Sequence, residues 1–115
     1  MADKLFHVDV VAPEAIVWSG AAVFVSARTT EGDIGILADH EATMAALATG
    51  PVEIQDPDDN VVTIGIHGGF LQIYENTVTL LTDRAEMTEG GREEALRLAE
   101  ELKAAEERSL EEAAS

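Results

Sequence analysis

The feature that most limits how this chain can fold is its punctuation. From Leu5 to Thr82, short runs of Val, Ile, Leu and Thr are interrupted by Gly, Pro, Asn or Asp. The interruptions recur roughly every 8–12 residues, the pattern of an antiparallel sandwich or barrel. Leu5 to Val11 sets Phe6, Val8 and Val10 on one face and His7 and Asp9 on the other, which predicts a half-buried strand ended by Pro13. Ile16–Trp18 predicts a short second strand closed by Ser19-Gly20, and Ala22 to Arg28 a third, with Val23, Val25 and Ala27 on one face. Further strands are predicted at Val52–Gln55, Val61–His67, Phe70–Tyr74 and Thr77–Thr82. Gly68-Gly69 reads as a break between two of these. Asp56 to Asn60 reads as a proline turn and Glu75-Asn76 as a tight turn with Asn76 left-handed. Ala42 to Thr49 has helix-forming alanines but strand length, and its surroundings favour a strand.

One stretch stands apart. Thr30 to His40 carries Gly32 and Gly35 three apart, with Ile34, Ile36 and Leu37 around them. Gly32 after an acidic residue predicts a turn with positive φ. Gly35 between isoleucines predicts a bulge or a close approach. The whole reads as a bent β segment with a polar tip at Asp39-His40.

After Gly90-Gly91 the composition changes to Ala, Glu, Leu, Arg and Lys. From Arg92, the residues Ala95, Leu98, Ala99, Leu102 and Ala105 form one apolar stripe at helical spacing, with Glu93 and Arg97 in the favourable order. Such a helix is marginal alone, so it either docks on the sandwich or waits for a partner. The expected organisation is a β domain over residues 1–88 and a helical region over 89–115.

Charge narrows the partners. There are 23 acidic against 7 basic residues, a formal net charge of −16. That surface repels phosphate backbones and anionic lipid, which argues against nucleic acid and direct membrane insertion. Zero cysteines remove a disulfide framework and thiolate metal sites. No apolar run is long enough to span a bilayer and the N-terminus lacks a signal-peptide core, which fits a cytoplasmic chain.

Little here argues for catalysis. His7, His40 and His67 show no HxH or HExxH spacing, and no serine sits in a nucleophile elbow. His67-Gly68-Gly69 lacks a phosphate-loop lysine. Asp56, Asp58 and Asp59 read as a solvated turn rather than a cation site. No cofactor is expected. The rival readings are a ligand- or metal-binding β-barrel using His40 and His67, and an acidic adaptor whose tail helix enters a partner's groove.

Several segments together resemble the epsilon subunits of bacterial F-type ATP synthases. They are Phe6–Val11, Trp18-Ser19-Gly20, Glu31-Gly32-Asp33-Ile34-Gly35-Ile36-Leu37 with His40, Gly68-Gly69-Phe70-Leu71, Val78–Leu81, Asp83 with Ala85-Glu86, and the closing helix. The resemblance implies a mainly β fold with an α tail: an antiparallel β-sandwich of about ten strands, then a C-terminal helical region. It implies a non-catalytic rotor subunit, peripheral on the cytoplasmic face of the membrane. Its implied partners are the gamma subunit, the c ring and, through the helix, the beta subunit. The ring-facing loop it implies is Glu31, Gly32, Asp33, Gly35, Asp39 and His40. A sheet face with Phe70, Gln72 and Tyr74 is the expected gamma contact.

The chain also departs from the family pattern. Ala38 stands where members often carry proline, a change worth about 0.4–1 kcal/mol through the unfolded chain. The nucleotide motif of some members is missing at Gly91, Arg92, Ala95 and Leu96, so no nucleotide site is expected. Ending at Ser115, the chain has room for one helix of the usual helical hairpin, so strong self-inhibition of ATP hydrolysis is not expected.

Overall fold

The computed structural model describes residues 4–114. In chain order its elements are β1 (Phe6–Ala12), β2 (Ala15–Ala22), β3 (Phe24–Thr29), β4 (Gly32–Ile36), β5 (Thr43–Ala46), β6 (Gly50–Gln55), β7 (Val61–Tyr74), β8 (Thr77–Thr88) and α1 (Gly91–Ala114). The alternation in the sequence becomes burial. Phe6, Val8 and Val10 of β1 are buried, as are Val25 and Ala27 of β3 and Val78 and Leu80 of β8. They join Ile36, Val52, Ile54, Ile64, Ile66, Leu71 and Ile73 in one aliphatic core.

The strands form two layers joined by a bent ribbon. Hydrogen-bonded neighbours run β2-β1-β8-β7-β6-β3-β4, with β5 on the free side of β7. In the first half of β7, Gly50 to Gln55 of β6 pair with Val61 to Ile66; in the second half, Thr43 to Ala46 of β5 pair with Phe70 to Ile73. β8 follows β7 through both halves. The change of layer comes at Gly68 and Gly69, with φ of 71° and 121°. The ladder keeps its register there, skipping only the Gly68–Asp83 rung. At Gly69 a side chain would run into the Leu81 carbonyl and come within 2.8 Å of the Thr82 Cα.

This corrects the expected strand count from about ten to eight. The glycine pair bends one 14-residue strand instead of ending it, because the β7–β8 ladder stays paired on both sides. β8 likewise continues past Thr82 to Thr88. The sandwich is not wholly antiparallel either. β1 lies parallel to β8, from His7 opposite Thr77 to Val11 opposite Leu81. The ambiguous stretch after Ala42 forms strand β5.

α1 docks on the outside of the β6–β7–β8 layer, so of the two alternatives for the helix the structure takes docking. Ala95, Leu98 and Ala99, the start of the sequence stripe, are buried. Gly65 makes the close approach possible: a Cβ there would meet the Ala95 carbonyl and lie 3.0 Å from the Ala99 nitrogen. Arg92 Nη1 donates to Glu53 Oε1 at 2.7 Å, fixing the start of the helix to β6. The helix has 24 residues, about 36 Å at ~1.5 Å per residue, and Glu107 to Ala113 are exposed. Among the described residues no helix is long and apolar enough to cross a membrane.

Candidate functional site

Docking of α1 leaves the two layers unequal. The outer face of the β6–β7–β8 layer is covered; that of the β5–β7–β8–β1–β2 layer is not. Strand pairing lines up an apolar row across this open face. Phe70 on β7 is opposite Leu81 on β8, Leu81 opposite Val11 on β1, and Val11 opposite Ile16 on β2. Phe70 is 55% exposed, Leu81 51% and Ile16 67%. The neighbouring row is mostly polar, Met44–Gln72–Thr79–Asp9–Ser19, with Met44 72% exposed at its β5 end. Tyr74, also exposed, sits beyond it opposite Thr77. Phe70, Gln72 and Tyr74 thus share one face, since alternate residues of a strand point the same way. Leu81, Ile16 and Met44 were not singled out from the sequence. For Leu81 a signal existed: with Leu80 inward, its neighbour must point out.

The Thr30–His40 stretch is not one tip. Thr30 and Glu31 form the β3–β4 turn, and Gly32, the first residue of β4, has φ 124°. Thr29 closes that turn, its Oγ1 donating to the Gly32 carbonyl at 2.7 Å and accepting from the Glu31 amide at 3.2 Å. Asp33 follows in β4, its Oδ1 3.5 Å from Arg28 Nε. Gly35 lies within the strand, opposite Ser26, where the Phe24 ring would come within 3.2 Å of any Cβ. That is the close approach expected there, without a bulge. Asp39 and His40 lie beyond the far end of this strand, which is about 13 Å long at ~3.3 Å per step. So the structure groups Glu31, Gly32 and Asp33 at one end and Asp39 and His40 at the other.

Asp39 belongs to a clasp. Lys4 Nζ donates to both of its carboxylate oxygens, at 2.8 and 2.9 Å, and Asn76 bonds it from the β7–β8 turn. Lys4 first, and then Asn76, hold its carboxyl below the usual carboxylate range. A shallow cleft of about 410 Å³ opens beside the clasp, lined also by Phe24, Leu37 and Gln55.

Residues 5–88 match the family model described as the ATP synthase, Delta/Epsilon chain, beta-sandwich domain. The chain belongs to this family. Among curated members, the ATP synthase epsilon chain of Streptomyces avermitilis is 42% identical over 83 residues, covering 72% of this chain and 67% of the relative. The ATP synthase epsilon chain of Rhodococcus erythropolis is 43% identical, covering 71% and 68%. Two solved assemblies contain chains of similar fold. One, from the mitochondrial ATP synthase of Euglena gracilis with OSCP, F1 and c-ring, superposes with a TM-score of 0.68 at 27% identity, over 89% of this chain and 64% of that one. The other, from the Tetrahymena thermophila mitochondrial ATP synthase central stalk and c-ring, gives 0.63 at 15% identity, covering 89% and 98%.

Within this epsilon-family sandwich the three histidines are separate. His7 Nε2 and the Ser19 hydroxyl both bond Asp9 Oδ1, at 2.9 and 2.6 Å. This is not a nucleophile–base relay, because Asp9 and Ser19 approach the same imidazole nitrogen. Ser19 chiefly holds the Asp9 carboxyl below its ordinary range. His40 Nδ1 lies 2.9 Å from the Glu41 carbonyl. His67 Nδ1 lies 2.8 Å from Thr49 Oγ1, and its Nε2 is paired with Glu106. His40 and His67 therefore share no partner, so the structure does not assemble the pair that the metal-barrel reading needs. Among the described residues no three His, Asp or Glu side chains are grouped to hold a metal ion.

Proposed function

We propose that this chain is the non-catalytic rotor subunit of an F-type ATP synthase, a coupler that works by contact. The observation that carries the reading is the apolar row Phe70–Leu81–Val11–Ile16 on a sheet face that the chain's own helix leaves open. Exposed apolar patches on this scale mark interaction surfaces. The face, including Gln72 and Tyr74, seats on the gamma stalk. The Glu31-Gly32-Asp33 turn meets the c ring, and Asp39 and His40 brace the opposite end of the same strand. The epsilon-chain relatives and the Euglena match support this assignment.

The physics of a coupler fits the body described. Proton movement supplies about 2.3 kcal/mol per charge per 100 mV, and a compliant part would dissipate it. A close-packed aliphatic core resists deformation. The net charge of −16 steers the chain towards basic partner patches and sets association rate more than affinity. On this reading the protein lies peripherally at the cytoplasmic side of the membrane as part of the complex, and residues 1–88 and 89–115 act as its contact body and its helical region.

The test is co-purification of the tagged chain with gamma and with the gamma–c-ring subcomplex. Stoichiometric capture of gamma is expected. A chain that joins neither assembly removes the proposal.

A further inference from the structure

One carboxylate stands inside the open face. Beside the apolar row Phe70–Leu81–Val11–Ile16 runs the polar row Met44–Gln72–Thr79–Asp9–Ser19, and beyond that Tyr74–Thr77–His7–Ala21. Asp9 is the only acidic residue in the three rows. Its Oδ1 is already engaged: the Ser19 hydroxyl donates to it at 2.6 Å, and His7 Nε2 lies 2.9 Å away. Oδ2 takes no bond from any described residue, and the side chain is 32% exposed. From this placement we infer that Asp9 is the charge-selective anchor of the face: the gamma subunit seats there by bringing a basic side chain, guanidinium or ammonium, onto Oδ2.

Docking strips water from what it covers. The centre of a protein interface is poor in charged residues, because a desolvated carboxylate is costly without a partner. Val11 of the apolar row is two residues from Asp9 on β1, on the same side of the strand, so a partner that covers the row covers Asp9 too. The chain's own cations do not compensate it. Lys4 is on Asp39, Arg28 beside Asp33, Arg92 on Glu53, and Arg97 between Glu94 and Glu101. Arg84 pairs with His67 in the helix-bearing layer, and Lys103 and Arg108 are on α1. The cation has to come from the partner.

The border of the face has the same sign. Glu14 in the β1–β2 turn, Glu41 ahead of β5 and Glu75 in the β7–β8 turn are all exposed. An acidic surface would be repelled at this rim and would leave Oδ2 stranded at the centre. A basic surface is attracted by the first and pairs with the second. Rim charges act chiefly on the rate of association, and a covered pair on the rate of dissociation. The apolar side chains supply area to any partner; the carboxylate discriminates, because a surface lacking the cation leaves it unpaired. The inference rests on gamma seating on this face, as proposed above.

Binding kinetics of the full-length chain with purified gamma test it. Asp9→Asn keeps the shape of the side chain and removes its charge; dissociation is expected to be at least about tenfold faster, with little change in association. Asp9→Ala repeats the measurement without a side-chain amide and is expected to agree. Ser19→Ala breaks a bond inside the cluster and keeps the charge, and is expected to stay within about threefold of the parent, the range of an ordinary surface substitution. Glu89→Gln removes one charge away from the face and is expected to match the parent. A melting curve of each variant reports that the sheet is intact. Parent-rate dissociation of Asp9→Asn and Asp9→Ala overturns the anchor and leaves the gamma seat standing. An equal loss in Ser19→Ala also overturns it, assigning the effect to bonds within the cluster. A parent chain that does not bind gamma removes the seat and the anchor together.

Discussion

Asp39 and Asn76 clasp each other through both backbone and side chain. The Asp39 amide donates to Asn76 Oδ1 at 2.6 Å, and the Asn76 side-chain amide donates back to Asp39 Oδ1 at 2.9 Å. Both residues are left-handed, with φ of 65° and 59°. These are the two residue types that tolerate this region best, because their short side chains bond locally. The pair ties the loop after β4 to the β7–β8 turn, elements 37 residues apart in sequence.

Two substitutions separate the backbone part of this clasp from the side-chain part. Asn76→Ala should cost about 1 kcal/mol in left-handed strain on top of the lost bonds, while Asn76→Gly should recover the strain alone. Urea denaturation of both variants checks this.

The same clasp gives a pH prediction. The Asp39 carboxyl is held low, chiefly by Lys4, so its contribution is present above the ordinary carboxylate range and lost as pH falls through its lowered folded value. Between about pH 4 and pH 2 the parent chain should lose more stability than Asp39→Asn, which keeps the turn residue but not the titration. Melting temperatures across that range decide it; equal acid limbs would contradict the assignment.

Gly65→Ala should release the helix and spare the sandwich. The new methyl would strike the Ala95 carbonyl, and an overpacked contact costs about 1–3 kcal/mol. Amide protection at residues 95–99 should drop while that of β1 and β8 is kept.

Gly69→Ala is expected to be far more damaging. It combines a φ of 121° with a collision at the Leu81 carbonyl, and no flexible side chain can move aside. Loss of more than about 3 kcal/mol is expected, read as failure to give a cooperative melt.

Phe70→Asp and Leu81→Asp should leave folding nearly unchanged, within about 0.5 kcal/mol, because both side chains are more than half exposed. Capture of gamma should fall sharply in each. Capture at the parent level by the double variant would put the gamma contact on another surface.

Period-two alternation made β1, β3 and the inward residues of β8 readable from the sequence, and helical spacing did the same for Ala95, Leu98 and Ala99. Gly32 and Asn76 were readable because local turn chemistry demands them. What escaped depends on contacts distant in sequence. Gly68-Gly69 looks the same locally whether a strand ends or bends; the difference lies in β8 staying paired on both sides. The parallel β1–β8 pairing leaves no local mark. The need for glycine at position 65 appears only once α1 lies on top of it. At the candidate site, Phe70, Gln72 and Tyr74 were readable as one face of a strand. The division of Glu31–Asp33 from Asp39–His40 was not, because β4 between them is short and half glycine-bent in appearance. The His67–Glu106 pair joins residues that no spacing rule connects.

Because β7 and β8 belong to both layers, the sandwich is wrung rather than slid when it is twisted. Two sheets meeting only through side chains can creep past each other by swapping rotamers. Here such creep would have to tear rungs from a ladder that runs unbroken in register from Thr63–Thr88 to Tyr74–Thr77 apart from one missing step. A torque applied to one sheet therefore reaches the other through main-chain bonds, and the two glycines mark where the ribbon would fail first.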